Sequence, residues 1–242
     1  SGGVASAGHL TMQNVIVVGS TNDYSGAIVG SGVYAQNDAI LENVAILGNH
    51  NLGSGPGGIL VDGHGSSRLS NVVIMGNSSD LGVGGVSMDN GTIDSSIIAD
   101  NVGGATSVGA LELGTSSSIF NSVLYSNTPD GVLGIPNPVG TGGVLSADPE
   151  LSDVTSLDYL EWDLHLRLGS VCIDRGNLAV FDDDGSTSDM GIYGGPGGAL
   201  WDLDLDGFYE WWQPGAYDAT TYPALNWDCD DQDASTTPAS GC

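Results

Sequence analysis

Asn43-Val44-Ala45-Ile46-Leu47-Gly48-Asn49 is followed, twenty-eight residues later, by Asn71-Val72-Val73-Ile74-Met75-Gly76-Asn77. The same frame recurs upstream and downstream. Its anchors are Asn14, Asn43, Asn71, Ser95 and Asn121, spaced 29, 28, 24 and 26 residues apart. Six residues after each anchor stand Ser20, Asn49, Asn77, Asn101 and Asn127. A second, Gly-opened strand precedes the first four anchors at Gly3-Val4, Gly32-Val33, Gly58-Ile59 and Gly85-Val86, and Gly109-Ala110 precedes the fifth. Self-similarity at a period of 20 to 50 residues marks a solenoid. The apolar runs are too short, and too rich in Gly and β-branched residues, for helical repeats. The frame therefore predicts an all-β parallel β-helix.

Coils stacked at the strand spacing of about 4.8 Å turn equivalent residues into ladders. Met12, Leu41, Leu69, Ile93 and Ile119 precede the anchors by two, and Val17, Ile46, Ile74, Ile98 and Leu124 follow them by three. All ten are apolar and are assigned to the core. Both Asn columns are expected to stack, each carboxamide donating to the next coil and to the backbone of the bend. The alternate positions, Ile16/Val18, Ala45/Leu47, Val73/Met75, Ile97/Ala99 and Val123/Tyr125, should face outward, yet they are apolar too. A strand apolar on both faces is normally covered on both. The cover is either the C-terminal segment of the chain or another chain.

The Gly-Gly-Val/Ile strand followed by Ile-x-x-Asn reads Gly57-Gly58-Ile59 with Ile74-Met75-Gly76-Asn77, and Gly84-Gly85-Val86 with Ile98-Ala99-Asp100-Asn101. It resembles the repeats of polymorphic outer membrane proteins and related secreted β-helix proteins, over roughly residues 1–134. That resemblance, with the general handedness of parallel crossovers, implies a right-handed solenoid. Residues 128–143, rich in Pro and Gly, break the repeat. The series Asp148-Pro149-Glu150-Leu151, Leu164 to Gly176, Asp182-Asp183-Asp184-Gly185-Ser186 and Asp189 to Gly195 resembles the closing segment of bacterial surface-anchored β-helix proteins. The resemblance implies irregular closing coils over 135–200 after regular coils over 1–134. Where that family has Pro after Gly-Ser, this chain has Val171.

The chain has 242 residues, with 30 Asp and Glu against three Arg and no Lys, a formal charge of −27. Residues 1–140 hold 10 acids and Arg68, and the remaining 20 acids and two Arg lie in 141–242. Nucleic acid and anionic membranes are poor partners for such a chain, because phosphate binding needs Lys or Arg. No apolar run approaches the ~20 residues of a membrane span. The start at Ser1, without initiator Met or signal peptide, reads as a mature or excised chain. Repeat type, acidity and lack of Lys suggest an extracellular protein. Of Cys172, Cys229 and Cys242, the preferred disulfide is Cys229–Cys242, leaving Cys172 as a buried thiol.

From Trp201 the composition changes. Asp202, Asp204 and Asp206 alternate before Gly207, so that carboxylates in a tight turn converge on one hard cation. The twelfth loop position is Gln213, not the Glu of an EF-hand, so closure falls to Asp228, Asp230, Asp231 and Asp233. Asp228-Cys229-Asp230-Asp231-Gln232-Asp233 resembles the acidic calcium repeats of thrombospondin type 3 and of bacterial proteins with a metal-binding motif, which implies Ca²⁺ as ligand. The other reading is a solvated acidic tail, against which Trp201, Phe208, Trp211, Trp212 and Trp227 argue. Asp182, Asp184, Ser186 and Asp189 form a second candidate Ca²⁺ loop, or else an Asx-turn cluster closing the solenoid.

No catalytic residue is assigned. Lyases of this fold need a basic residue, and the only Arg on the repeats is Arg68. Gly63-His64-Gly65 is similar to the Gly-His-Gly of β-helical polygalacturonases, whose remaining motifs are missing. His9, Asp38 and His64 share one register column, as a polar stack or a metal site, while His50 and His165 have no evident partner. The first repeat strand opens at Val4 with no cap before it. A head-to-tail contact there would propagate into a filament. The expected role is structural or adhesive, with self as partner; a carbohydrate-binding or carbohydrate-cleaving protein is the alternative.

Overall fold

The computed structural model describes residues 3–23, 30–63, 65–183 and 185–198, together with the backbone of 209–210 and 227–228. The described chain is all-β apart from a 3₁₀ turn at Tyr159–Glu161, and its parallel strands stack into a β-solenoid of about four turns. Five rungs make the main sheet: Leu10–Val18, Ala39–Leu47, Ser67–Met75, Val86–Asp94 with Ile97–Ala99, and Leu111–Phe120 with Val123–Tyr125. The register places Met12, Leu41, Leu69, Ile93 and Ile119 side by side, and likewise Val17, Ile46, Ile74, Ile98 and Leu124. All ten are buried in one core, as their periodicity requires.

The short strands Val4–Ser6, Val33–Ala35 and Ile59–Val61 continue this sheet on the other side of the coil and run into the starts of the fourth and fifth rungs. The fifth coil is offset by one residue from the expected alignment: Val86 pairs with Leu111, which sets Ala110, not Gly109, beside Gly85. The glycines here are steric. A Cβ on Gly32 would lie 2.6 Å from the Gly58 carbonyl oxygen and 2.9 Å from the Asn49 carboxamide nitrogen.

The two Asn columns differ, which corrects the expectation that both stack. The column at 49, 77, 101 and 127 is a true ladder. Asn49 Nδ2 donates to Asn77 Oδ1 at 2.9 Å, Asn77 to Asn101 at 3.0 Å and Asn101 to Asn127 at 2.9 Å. The backbone N–H of Asn49, Asn77 and Asn101 donates to the same oxygens, and that of Ser20 donates to Asn49 Oδ1. The anchor column instead makes a corner: Asn14, Asn43, Asn71, Ser95 and Asn121 take φ of 51°, 52°, 52°, 52° and 44°. Asn tolerates this left-handed region better than other side chains. A second left-handed corner follows five residues later at Gly19, Gly48, Gly76, Asp100 and Ser126. Two corners per coil turn the chain through its bend and leave four flat residues between them.

The side chains of Asn14, Asn43, Asn71 and Ser95 point away from the core toward the C-terminal segment, whereas Asn121 Nδ2 donates to Asp94 Oδ1 at 2.9 Å. Residues 145–198 form a strap that runs back over the outer face of the sheet from the fifth rung to the first. Leu145 bridges to Val123 of the fifth rung. Asn177 N–H then donates to Ser95 Oγ, Asn71 Nδ2 to the Asp189 carbonyl, Asn43 Nδ2 to the carbonyls of Ile192 and Gly194, and Asn14 Nδ2 to the Gly197 carbonyl at 3.5 Å. The antiparallel pair Leu151–Asp153 and Asp163–Leu166 stiffens the strap. Its Leu151, Leu164, Leu166, Cys172, Met190 and Ile192 form a second core with Ala45, Leu47, Val73, Met75, Ile97, Ala99 and Val123. The doubly apolar sheet is thus covered by the chain's own C-terminal segment, one of the two covers its sequence demands.

Candidate functional site

Asp202, Asp204, Asp206, Asp230, Asp231 and Asp233 lie outside the described residues, as do Asp184, His64, Cys229 and Cys242. Of Asp228 only the backbone is described: Tyr209–Glu210 pairs in parallel with Trp227–Asp228, setting Glu210 beside Asp228. The backbone register therefore joins the segment after Asp206 to the segment that opens the second acidic run.

Asp182 and Asp189 of the second loop are described and buried, with 4% and 7% of their surfaces exposed. Burial of two carboxylates is costly unless each is hydrogen-bonded. Backbone donors meet that need. Asp182 accepts from the N–H of Asp189 and of Gly195, and Asp189 Oδ1 accepts from the N–H of Asp174 at 2.7 Å. Asp183 accepts from Gly197 N–H. The loop thus holds the end of the strap through its carboxylates, as an Asx-type cluster does. Among the described residues no three His, Cys, Asp or Glu side chains converge as a metal cluster.

His50 and His165 have partners that the sequence does not reveal. His165 is buried in the strap, donates from Nδ1 to Asp163 Oδ1 at 2.5 Å, and stacks on Tyr193 with ring centroids 3.9 Å apart. Burial works to raise the Asp163 pKa, but the hydrogen bonds from the His165 side chain and backbone outweigh it and hold it below the usual value. His50 bonds Ser78 at 2.7 Å and lies 3.5 Å from Asp80. His9 and Asp38 do stack across the first two coils, at 2.7 Å, and this bond lowers the Asp38 pKa. Both are solvent-accessible. Cys172, wholly buried between strap and sheet, is a free thiol whose pKa burial pushes up to about 12.

One groove of about 450 Å³ opens on the solenoid face. Leu60, Val61, Leu113, Pro56 and Val83 line it together with Asp62, Asp89, Glu112, Ser54 and Ser87. Val61 pairs with Met88, so Asp62 and Asp89 occupy adjacent rungs of one column. Gly114, next in that column, leaves the space open. Sequence reasoning missed these three acids because they come from different coils and sit outside the anchor frame. A smaller cavity of about 270 Å³ lies where the strap leaves the sheet, lined by Tyr125, Asp148, Glu150 and Arg167 among others. Asp148 foremost, with burial and Asp100, raises the Tyr125 pKa there.

Comparison with protein-family models, with curated proteins and with solved structures returns no match in any of the three. No helix among the described residues is long and apolar enough to cross a membrane. The architecture defines the class, a strapped parallel β-solenoid.

Proposed function

We propose that the protein is a secreted, non-enzymatic structural or adhesive component of the cell surface, stabilised by Ca²⁺ and self-associating head to tail into a filament. The observation that carries this reading is the edge of the first rung. Val4–Ser6 and Leu10–Val18 pair on one side with the second coil and on the other with no described residue. Val4, Leu10 and Val15 are only partly buried there, against the core. A strand edge above apolar side chains is a template for another rung, which a preceding coil of a longer chain or a second copy can supply. A second copy supplies that rung, and repetition of an unlike-surface contact gives a fibre.

Calcium enters through the acidic C-terminal region: Asp202, Asp204 and Asp206, closed by Asp228, Asp230, Asp231 and Asp233, with Asp182, Asp184 and Asp189 as a second site. Alternating carboxylates ending in Gly suit a hard cation, and a segment this acidic gains its fold from the metal. The likeness of the coils to polymorphic outer membrane protein repeats, and of the acidic run to thrombospondin type 3 repeats, supports an extracellular setting.

The test is negative-stain electron microscopy in millimolar Ca²⁺, with and without Val4→Asp. Filaments that the charge abolishes support the reading. Single short rods refute it, whether the edge is then covered by further coils of a longer chain or left to solvent. A second reading, carbohydrate binding or cleavage, is favoured by the groove at Asp62, Asp89 and Glu112, since glycosidic cleavage uses paired carboxylates. Turnover or saturable binding of neutral glycans, lost in Asp89→Asn, would support it.

A further inference from the structure

In an ordinary solenoid each repeat touches only its neighbours, so the stack can open from its ends one coil at a time. This chain adds a connection that such stacks lack. The strap is one continuous segment bonded to the corners of the second, third and fourth rungs through Asn43, Asn71 and Ser95, and it covers apolar side chains from the second rung to the fifth. Lifting any of these rungs strips it of the strap. Asn43 and Asn71 are buried, so a rung that parts from the strap leaves carboxamide donors and strap carbonyls without partners. We infer that the strap is a clasp: the second to fifth rungs open together, and only when the strap lifts. The first rung stands at the margin of this unit: its Ile16 and Val18 are only partly buried against the strap core, and Asn14 Nδ2 reaches the Gly197 carbonyl at 3.5 Å. The inference stands apart from filament formation and holds for a monomer.

Two reporters separate a clasp from a passive cover. Cys172 lies wholly buried under the strap, so its alkylation reads strap lifting. The amides of Asn49, Asn77 and Asn101, one per rung and each bonded to the next Asn, read rung opening in matched surroundings. Hydrogen exchange and site-resolved alkylation, the latter read by peptide mass spectrometry because the chain has three cysteines, are compared in the wild type and in Leu164→Ala. Leu164 is on the strap and not in a rung. Expected in the wild type are three equal protection factors, with Ser20 less protected, and the same urea dependence for Cys172 labelling and amide exchange. Leu164→Ala should speed both by one common factor, about thirty-fold or more, the equivalent of ~2 kcal/mol for a buried Leu→Ala change. Faster Cys172 labelling with unchanged exchange at Asn49, Asn77 and Asn101 would overturn the clasp. If Leu164→Ala does not fold, the wild type alone decides: different urea dependences for the two reporters would overturn it equally.

Discussion

Replacing Asn77 by Ala should be among the most damaging single changes in the chain. Asn77 is 0% exposed. Its Oδ1 accepts from the backbone and the side chain of Asn49, at 3.0 and 2.9 Å. Its Nδ2 donates to Asn101 Oδ1 at 3.0 Å and to the Ile46 carbonyl at 2.8 Å. Ala removes all four bonds. Asn101 Oδ1 keeps the Asn77 backbone N–H, and the Asn49 carboxamide keeps its second bond to the Val17 carbonyl. Four groups lose the bond supplied by residue 77, and of these the Asn49 backbone N–H and the Ile46 carbonyl have no other side-chain partner to fall back on. At about 1–3 kcal/mol for each orphaned buried group, with a further contribution from the small cavity, the cost is about 3–6 kcal/mol. That is a large share of the ~5–15 kcal/mol stability of a typical domain. Urea unfolding followed by circular dichroism measures it, with Asn137→Ala as control. Asn137 is exposed and accepts one bond from Val139, so its loss should cost less than about 0.5 kcal/mol. Asn77→Asp should be at least as harmful as Asn77→Ala, because it keeps the acceptor, loses both donors and buries a charge. An Asn77→Ala midpoint within error of the Asn137→Ala midpoint would refute the ladder as a source of stability.

Gly19 and Gly48 occupy the same corner of successive coils, with φ of 62° and 59°. A Cβ at Gly19 meets nothing within 4 Å, whereas one at Gly48 falls 2.1 Å from the Tyr159 ring. Gly19→Ala should therefore cost only the left-handed backbone term of about 1–2 kcal/mol, and thermal melts should place Gly48→Ala well below it; equal melting temperatures would show that Tyr159 is not seated on that corner. The folded-state pKa of Asp163 is lowered, so the stability it contributes is present above its unfolded value near 3.8 and is lost as pH falls through the lower folded value. Asp163→Asn should accordingly destabilise at pH 6 and lose its effect in acid, measured as the difference in melting temperature between variant and wild type; a difference constant from pH 6 to pH 2 would contradict the Asp163–His165 pairing. Chelation of Ca²⁺ should lower the melting temperature, and calorimetric titration of the apo chain should show binding that Asp204→Asn weakens; no heat and no shift would remove calcium from the reading.

Much of the stack is legible in its sequence because stacking at a fixed rise turns a local rule into a column. Each core position had to be apolar five times over, and the anchor spacing tolerated loops of different length without losing frame. The buried Asn ladder was legible for the same reason. The anchor Asn column was visible but misread: Asn suits both a stacked ladder and a left-handed corner, and only backbone φ separates them. The candidate sites divide along the same line. Acidic motifs written within a few residues, such as Asp182 to Asp189, could be picked out directly. The groove acids could not, because Asp62, Asp89 and Glu112 come to line one groove only after three coils are laid side by side, with a bulge between Met88 and Asn90 in the pairing of the last two.

By itself the sequence determined that the chain is a parallel solenoid, which positions fill its interior, and that its outer face needs a cover, since these follow from periodicity and from the cost of leaving apolar strands in water. Tertiary structure alone decided what the cover is and how it runs. The strap pairs residues up to 183 positions apart, as in Asn14 with Gly197. No repeat encodes those contacts, because each rung presents its own corner side chain to a non-repeating segment. Their register is set by the packing of Leu164, Leu166, Met190 and Ile192 against the sheet.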